Sequence, residues 1–309
     1  MTVFLNYKEW NNNLELLTMN NAANHNAFYI ERNITSWYQD GSLWNRIAGK
    51  NGYDAFEGIF PGCYFDMSRA IVTPDLISGS YTPPSKTVII IGLNNYLYTY
   101  DGTYTSETYR VKYNHIICKP IKSFGIIEED EEESHFYDYG FYTHRLNQEI
   151  LGLPTTTGNI GGTINEQLYA EFGSHLKTHY DYTTTRTNND IDNERYPYIV
   201  SNSPFECAYH KGIPVKSELK LFQAQLFSVT QISTTGIDET HERSLFDDIF
   251  PAFRNNRQQS HWQNTYFLRN MGYAGKILTV NNRGEIAPND VGKSSHKFKG
   301  YVVPYFILA

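Results

Sequence analysis

The last stretch of the chain constrains its fold more than any other. Residues 301–308 read YVVPYFIL, apolar on both alternating faces. A strand that faces water on one side alternates apolar with polar residues, so this run needs cover on both sides. The residues before it carry the same signal. Tyr266-Phe267-Leu268-Arg269 is aromatic-rich, Ile277-Leu278-Thr279-Val280 follows, and Asn281-Asn282-Arg283-Gly284 interrupts. Short β-branched and aromatic runs bounded by Asn and Gly predict strands joined by tight turns across 263–309. A chain seldom ends in such a run unless it is tied into a sheet. Residues 302–308 are therefore expected beside another buried strand, around Tyr64-Phe65 or Ile89 to Ile91. Pro304 lacks an N–H and is expected at a bulge or an unpaired edge.

The rest of the chain is read against that anchor. Its 309 residues could form one large domain or two. No internal repeat and no Pro/Ser-rich linker marks a boundary. The reading is an arm or peripheral element at 1–35 and one domain at 36–309. Residues 36–47 place Trp37, Leu43, Trp44 and Ile47 at helical spacing, weakened by Gly41. Pro61-Gly62 predicts a turn feeding a strand at Cys63-Tyr64-Phe65. Residues 87–93 and 108–120 read as strands. Residues 163–177 read as the best helix, with a Thr163/Glu166 capping box and an apolar face of Ile164, Leu168, Phe172 and Leu176. Residues 217–229 could be helix or strand. Residues 180–200 read as a polar surface excursion, and 244–253 as a helical turn stopped by Pro251.

Composition excludes several classes. A net charge of -7 and a pI near 5.8 argue against a nucleic-acid partner, which needs a basic footprint. No apolar run approaches the ~20 residues that span a bilayer, so membrane insertion is not expected. The N-terminus lacks the pattern of a secretion signal. Cys63, Cys118 and Cys207 form no CxxC pair, and lone thiols of this kind are usually small core residues. The acidic run at 128–133 reads as a solvated loop. His175 and His179 lie four apart, the spacing of two metal ligands on one helix face, but no third ligand is defined. No GxSxG, GxxxxGK[ST] or HExxH is present. No enzyme activity, metal or cofactor is expected. The 25 tyrosines and abundant asparagines suit recognition, since Tyr offers rigid contact area and Asn adaptable hydrogen bonds; an A/T-rich coding sequence is the plain alternative.

The order GIFPGCYFDM, TVIIIGLNNYL, INEQLYAEFGSHL, YFLRN, LTVNNRGEI and GYVVPYFIL resembles phage-encoded proteins that carry a DUF6273-type domain, related to the C-type lectin-like fold. That family typically ends in YWLRS, VNSSG and GVRPAF. Tyr266 to Arg269, Val280 to Gly284 and Gly300 to Phe306 match it here, and the likeness covers roughly residues 40 to 309. Tyr301-Val302-Val303 stands where Gly-Val-Arg is usual, which removes one arginine. The resemblance implies an elaborated C-type lectin-like α+β fold with paired N- and C-terminal strands and long irregular loops. It implies a virion protein of tail or head fibre, binding host-surface glycan or protein or other virion subunits, and forming a homo-oligomer. A purely structural capsid or tail decoration component is the first alternative. A degenerate formylglycine-generating-type enzyme is the second, although no cysteine follows Cys207. The calcium motifs of lectins are absent. Trp262, Asn264, Tyr266, Asn281, Asn282 and Arg283 are the candidate binding residues. Trp and Tyr offer flat apolar faces, Asn offers donors and acceptors, and Arg can fork onto a carboxylate.

Overall fold

A computed structural model describes residues 22–77, 83–96, 111, 113–129, 141–186, 215–232, 249–255, 265–271, 277–281, 286–289 and 298–309. The backbone is mixed α+β, mostly sheet with few helices. In chain order the first elements are α1 (Ala22–Asn26), β1 (Arg32–Asn33), α2 (Thr35–Gln39), α3 (Ser42–Ala48), β2 (Cys63–Asp66), β3 (Thr87–Leu93), β4 (Ile116–Pro120) and β5 (Ile126–Glu129). A π-helix (Leu146–Leu151), α4 (Ile164–Phe172), β6 (Leu176–Lys177), β7 (His179–Arg186), β8 (Val215–Phe222) and β9 (Ala224–Leu226) follow. The rest are α5 (Val229–Ile232), α6 (Pro251–Asn255), β10 (Tyr266–Met271), β11 (Ile277–Val280), β12 (Ile286–Asn289), β13 (Phe298–Tyr301) and β14 (Pro304–Leu308).

The final strand is buried on both faces, as its apolar pattern demands. Phe306 and Leu308 enter one core cluster with Phe65, Val88, Ile90, Cys118, Ile164, Leu168 and Phe172. Tyr305 and Ile307 enter a second cluster with Ile89, Ile91, Ile117, Phe227, Phe250, Phe253 and Leu268. The large sheet thus lies between two cores. Its order is β1-β2-β3-β4-β14-β6, and β9 also pairs with β14. A five-stranded sheet, β12-β11-β10-β13-β5, carries the aromatic YFLR strand. The β7-β8 ribbon forms a sheet of its own.

Two segments cross from one sheet to the other side by side. β4 runs into β5 and β13 runs into β14, and the two segments are antiparallel throughout. Phe306 pairs with Cys118 in the large sheet, and Tyr301 pairs with Ile126 in the smaller one. At the crossing, Phe124 N–H donates to Val302 O at 3.0 Å and Val302 N–H to Gly125 O at 2.9 Å. Gly300 sits at this bend against Phe267, and a Cβ there would lie 2.5 Å from the ring.

Several sequence expectations are corrected. β14 lies in the predicted sheet, but its neighbours are β4, β6 and β9 rather than β2 or β3. The reason is that β3 uses its edges on β2 and β4. Pro304 opens β14 opposite Leu226, where a missing N–H costs least. Among the described residues the first strand, β1, pairs with β2 and not with β14. Residues 22–35 are no peripheral arm, because His25, Tyr29, Ile30 and Ile34 are buried.

The predicted helix at 163–177 keeps its capping box and its buried Ile164, Leu168 and Phe172, but ends at Phe172. Leu176 is buried from strand β6 instead. Pro251 starts a helix rather than stopping one, as its fixed φ and missing N–H allow in a first turn. Of the 108–120 strand, Ile116–Pro120 forms β4 and Val111 N–H donates to Tyr96 O at 2.9 Å, while 108–110 and 112 lie outside the described residues. Residues 217–226 are extended, in β8 and β9. Glu129, expected in a solvated loop, closes β5 fully buried and accepts from Arg145 Nη1 at 2.9 Å. The 36–47 helix forms in two pieces, split at Gly41 with φ 77°.

Phe306 is fully buried between Phe124 and Phe172. Phe306→Ala is expected to cost about 3–5 kcal/mol, read as a shift of the urea midpoint at unchanged slope.

Candidate functional site

A cavity of about 550 Å³ opens where α2, α3, the end of β2 and the end of α4 meet. The Gly41 break folds α3 back on α2, so Trp44 meets the edge of Tyr38 with ring centroids 6.1 Å apart. α4 ends at Gly173, which has φ 54°. The chain then turns His175 flat onto Trp44, at 3.8 Å and 7° between ring planes. His175 Nδ1 lies 2.8 Å from the Ala309 carbonyl oxygen, which fixes the imidazole at the end of β14. Gln39, Asp66, Ser68 and Lys86 line the polar side.

Glu171 organises this groove. Its side chain is 1 % exposed and its oxygens are all engaged. Tyr38 Oη donates to it at 2.6 Å, Ser68 N–H at 2.5 Å and Ser68 Oγ more closely still. Arg69 Nε stands 3.5 Å away. Burial opposes ionisation of Glu171, but the hydrogen bonds from Ser68 and Tyr38 and the charge of Arg69 outweigh it, so its pKa falls below the ordinary value. Burial, and then the bond to Glu171, raise the Tyr38 phenol. Asp66 accepts from Thr87 Oγ1 at 2.5 Å. The arrangement is a fixed concave surface with aromatic walls and both signs of charge. Its buried carboxylate is held ionised by three hydrogen-bond donors and the nearby Arg69 charge, which suits it to holding a shape more than to exchanging a proton.

A second polar assembly lies out of contact with solvent, between the sheets. Arg269 Nη1 donates to Asp181 Oδ2 at 2.8 Å, with both residues at most 1 % exposed. Tyr96 Oη donates to the same oxygen at 3.0 Å. Tyr305 has one proton, and its shortest acceptor is Gln225 Oε1 at 2.6 Å. It accepts in turn from Gln231 Nε2 at 3.3 Å and Arg269 Nη1 at 3.4 Å. His179 Nε2 lies 3.2 Å from Gln225 Oε1. Burial works against the Arg269 charge, but the Asp181 carboxylate outweighs it and raises the guanidinium pKa. Arg269 of the YFLR motif is one half of a buried ion pair.

Of the binding residues singled out in the sequence, only Tyr266 and Asn281 lie among the described residues. Tyr266 is 3 % exposed in β10, within the second core, so its face is not available to a partner. Its neighbours Phe267 and Leu268 are fully buried. Asn281 follows β11 and is half-buried. Trp262, Asn264, Asn282 and Arg283 lie outside the described residues. His175 and His179 stand on different elements with different partners, because the helix ends before either is reached. Cys63 and Cys118 are free and buried, and burial pushes the Cys63 thiol up to about 12. Cys207 also lies outside the described residues.

The groove residues were missed because four separate segments supply them. Trp44 and His175 stood out only as a helix-face residue and a metal candidate. No local motif links Ser68 or Lys86 to Glu171. The asparagines and glutamines have a use that composition did not suggest. Gln167 pairs its amide with the backbone of Val72, at 2.9 and 2.6 Å, as a strand would. Gln223 does the same for Thr155 at 3.1 and 3.0 Å, and Asn26 for Leu93 at 3.0 and 2.8 Å. No family model, curated protein or solved structure matches the chain.

Burial lowers the pKa of three histidines, His25, His115 and His179, and so makes the fold sensitive to acid. His115 Nε2 accepts from Tyr96 N–H at 3.2 Å while Nδ1 faces Tyr113 O at 2.9 Å, so a second proton would break the first bond. Burial lowers the pKa of both His115 and His179 to about 4. Below about pH 6.5 the unfolded chain therefore binds protons that the folded chain refuses. Stability should fall as pH drops from about 6.5 to 4, by up to roughly 3 kcal/mol for each histidine. Denaturant melts across that range should show it, and His115→Gln should flatten the slope.

Lys119 shows the same effect at higher pH in β4. It is 3 % exposed and its Nζ donates to Pro120 O at 3.2 Å. Burial lowers its pKa to about 8. The cost of its charge is full below pH 8 and vanishes above the unfolded value. Lys119→Met is expected to stabilise the fold by about 3 kcal/mol at pH 7, and the gain should disappear as pH rises through 8 to 10.5.

Proposed function

We propose that this protein is a non-enzymatic structural protein of the bacteriophage particle. Its domain is an elaborated C-type lectin-like module that binds a host-surface glycan or protein, or a neighbouring virion subunit. The observation that carries the binding role is the groove around Glu171. Its carboxylate is saturated by Tyr38, Ser68 and Arg69, so the cavity keeps one shape with no ligand present. Preorganisation of this kind favours affinity, because little side-chain freedom is lost on binding. Catalysis would ask for a group poised to exchange a proton or attack a substrate, and Glu171 is shifted away from that role.

The lectin-like and virion parts of the reading rest on the ordered motifs. YFLR supplies β10 of the smaller sheet, and GYVVPYFIL supplies β13 and β14, which join the two sheets. Such residues are kept for architecture, while ligand contacts fall on the loops and helix ends around them.

Gln39 and Lys86 stand exposed at the groove lip and can be changed without touching the core. Gln39→Ala with Lys86→Ala should weaken adsorption of particles to host cells, or incorporation into particles, by about tenfold or more, equivalent to about 1.4 kcal/mol. The melting temperature should stay within a degree or two of wild type. Unchanged adsorption and unchanged incorporation would remove the groove from the binding surface.

A further inference from the structure

Asn51-Gly52 is the one Asn-Gly pair in the 309 residues. It lies in the turn that follows α3. Lys50 N–H donates to Asn45 O at 3.0 Å and Tyr53 N–H to Lys50 O at 3.2 Å, so the turn is anchored on both sides. Between these anchors both residues of the pair are exposed. Asn51 Nδ2 donates to Asn45 Oδ1 at 2.9 Å, which ties the turn to α3. Gly52 stands in open space, and a Cβ there would meet nothing within 4 Å. Among the described residues no acceptor takes its N–H. Asp40-Gly41 is the contrast. Gly41 N–H donates to Tyr38 O at 3.3 Å, and Asp40 Oδ1 accepts from Ser42 N–H at 2.8 Å. The bonds from Ser42 hold the Asp40 carboxyl below its usual range, so it stays ionised and is a poor electrophile.

We propose that Asn51 is a site of spontaneous deamidation and backbone isomerisation in the folded protein. The Gly52 nitrogen gives up its proton to solvent and attacks Asn51 Cγ. The new N–Cγ bond closes a five-membered cyclic imide, the Cγ–Nδ2 bond breaks, and Nδ2 leaves as ammonia. Water then adds to one of the two imide carbonyls. Opening on one side gives aspartate, and on the other isoaspartate, whose main chain runs through the former side chain. One water enters, one ammonia leaves, and nothing is oxidised or reduced. Gly52 suits the attack because it has no side chain to block the approach and can turn its peptide plane. A backbone N–H that is bonded must first be released by local opening, and here nothing has to open. The product carboxylate cannot donate to Asn45 Oδ1, so the tie to α3 is lost. It also places a negative charge beside the carbonyl end of that helix, where charge of this sign is disfavoured. Asn45 is the neighbour of Trp44, which walls the groove, but the inference does not depend on what the groove binds.

Incubating the folded full chain in water enriched in heavy oxygen tests it, because each imide opening leaves one solvent oxygen in the residue. Peptide mass mapping should find the label at position 51, in both aspartate and isoaspartate. The same mapping in urea gives the rate at each site without protection. The ratio of folded to unfolded rate should be larger at Asn51 than at Asp40 by about tenfold or more. Asn51→Gln should lose the signal at an unchanged melting temperature, since its longer side chain cannot close the five-membered ring. A folded chain that keeps Asn51 intact while the chain in urea is labelled would overturn the proposal. So would equal protection of Asn51 and Asp40, or labelled aspartate with no isoaspartate, which would mean direct hydrolysis of the side chain.

Discussion

The ion pair of Arg269 and Asp181 is the constraint around which the rest is arranged. Arg269 comes from the smaller sheet and Asp181 from the β7-β8 ribbon. Tyr305 of the large sheet, Tyr96 beyond β3, Gln225 of β9 and Gln231 of α5 complete it. Removing two charges from water costs several kcal/mol for each, and attraction repays this only where the remaining donors and acceptors are also satisfied. The pair ties the elements that touch it to one register, although Arg269 Nη2, Gln225 Nε2 and His179 Nδ1 are buried with no hydrogen-bond partner. An apolar filling of the same volume would tolerate sliding of the ribbon over the sheets; a shared carboxylate oxygen does not.

The irregular segments follow a related logic at the periphery. Long loops leave backbone groups with no ladder to join, and buried ones must be paired. Side-chain amides take the place of the missing strand, with donor and acceptor presented at the spacing of a peptide group. Gln167, Gln223 and Asn26 each close one such bridge, and Asn165 joins Gly152 to Ala224. The groove and residues 152–162, at the two ends of α4, are both held in this way, by buried polar side chains and not by added secondary structure.

Much of the frame was legible in the sequence. The Thr163/Glu166 box, the strand at 87–93 and the two-faced burial of 304–308 all follow from local chemistry and periodicity. What was not legible depends on partners distant in the chain. Tyr266 has the amphipathic character of a contact residue, and only the sheet above it makes it core. Glu129 belongs by composition to an acidic run, and only Arg145 makes it a buried side chain. The neighbours of β14 were misjudged because apolarity says that a strand is covered, not which edge it meets. Glu171 was read merely as part of a helix, since Tyr38, Ser68 and Arg69 reach it from other segments.

The doubled crossing of β4-β5 against β13-β14 also bears on how the chain reaches this state. The two segments that bridge the sheets come from the first half of the sequence and from its very end. Neither sheet can be completed until the last strand has emerged from the ribosome, and the chain between them must be closed as one long loop first. Pairings so far apart in sequence slow the search for the native state and leave sheet edges open meanwhile. Until β14 has been made, a nascent chain would carry β4 unpaired on one side, a template for wrong partners. Loss of β14 would then be a kinetic lesion as much as a thermodynamic one.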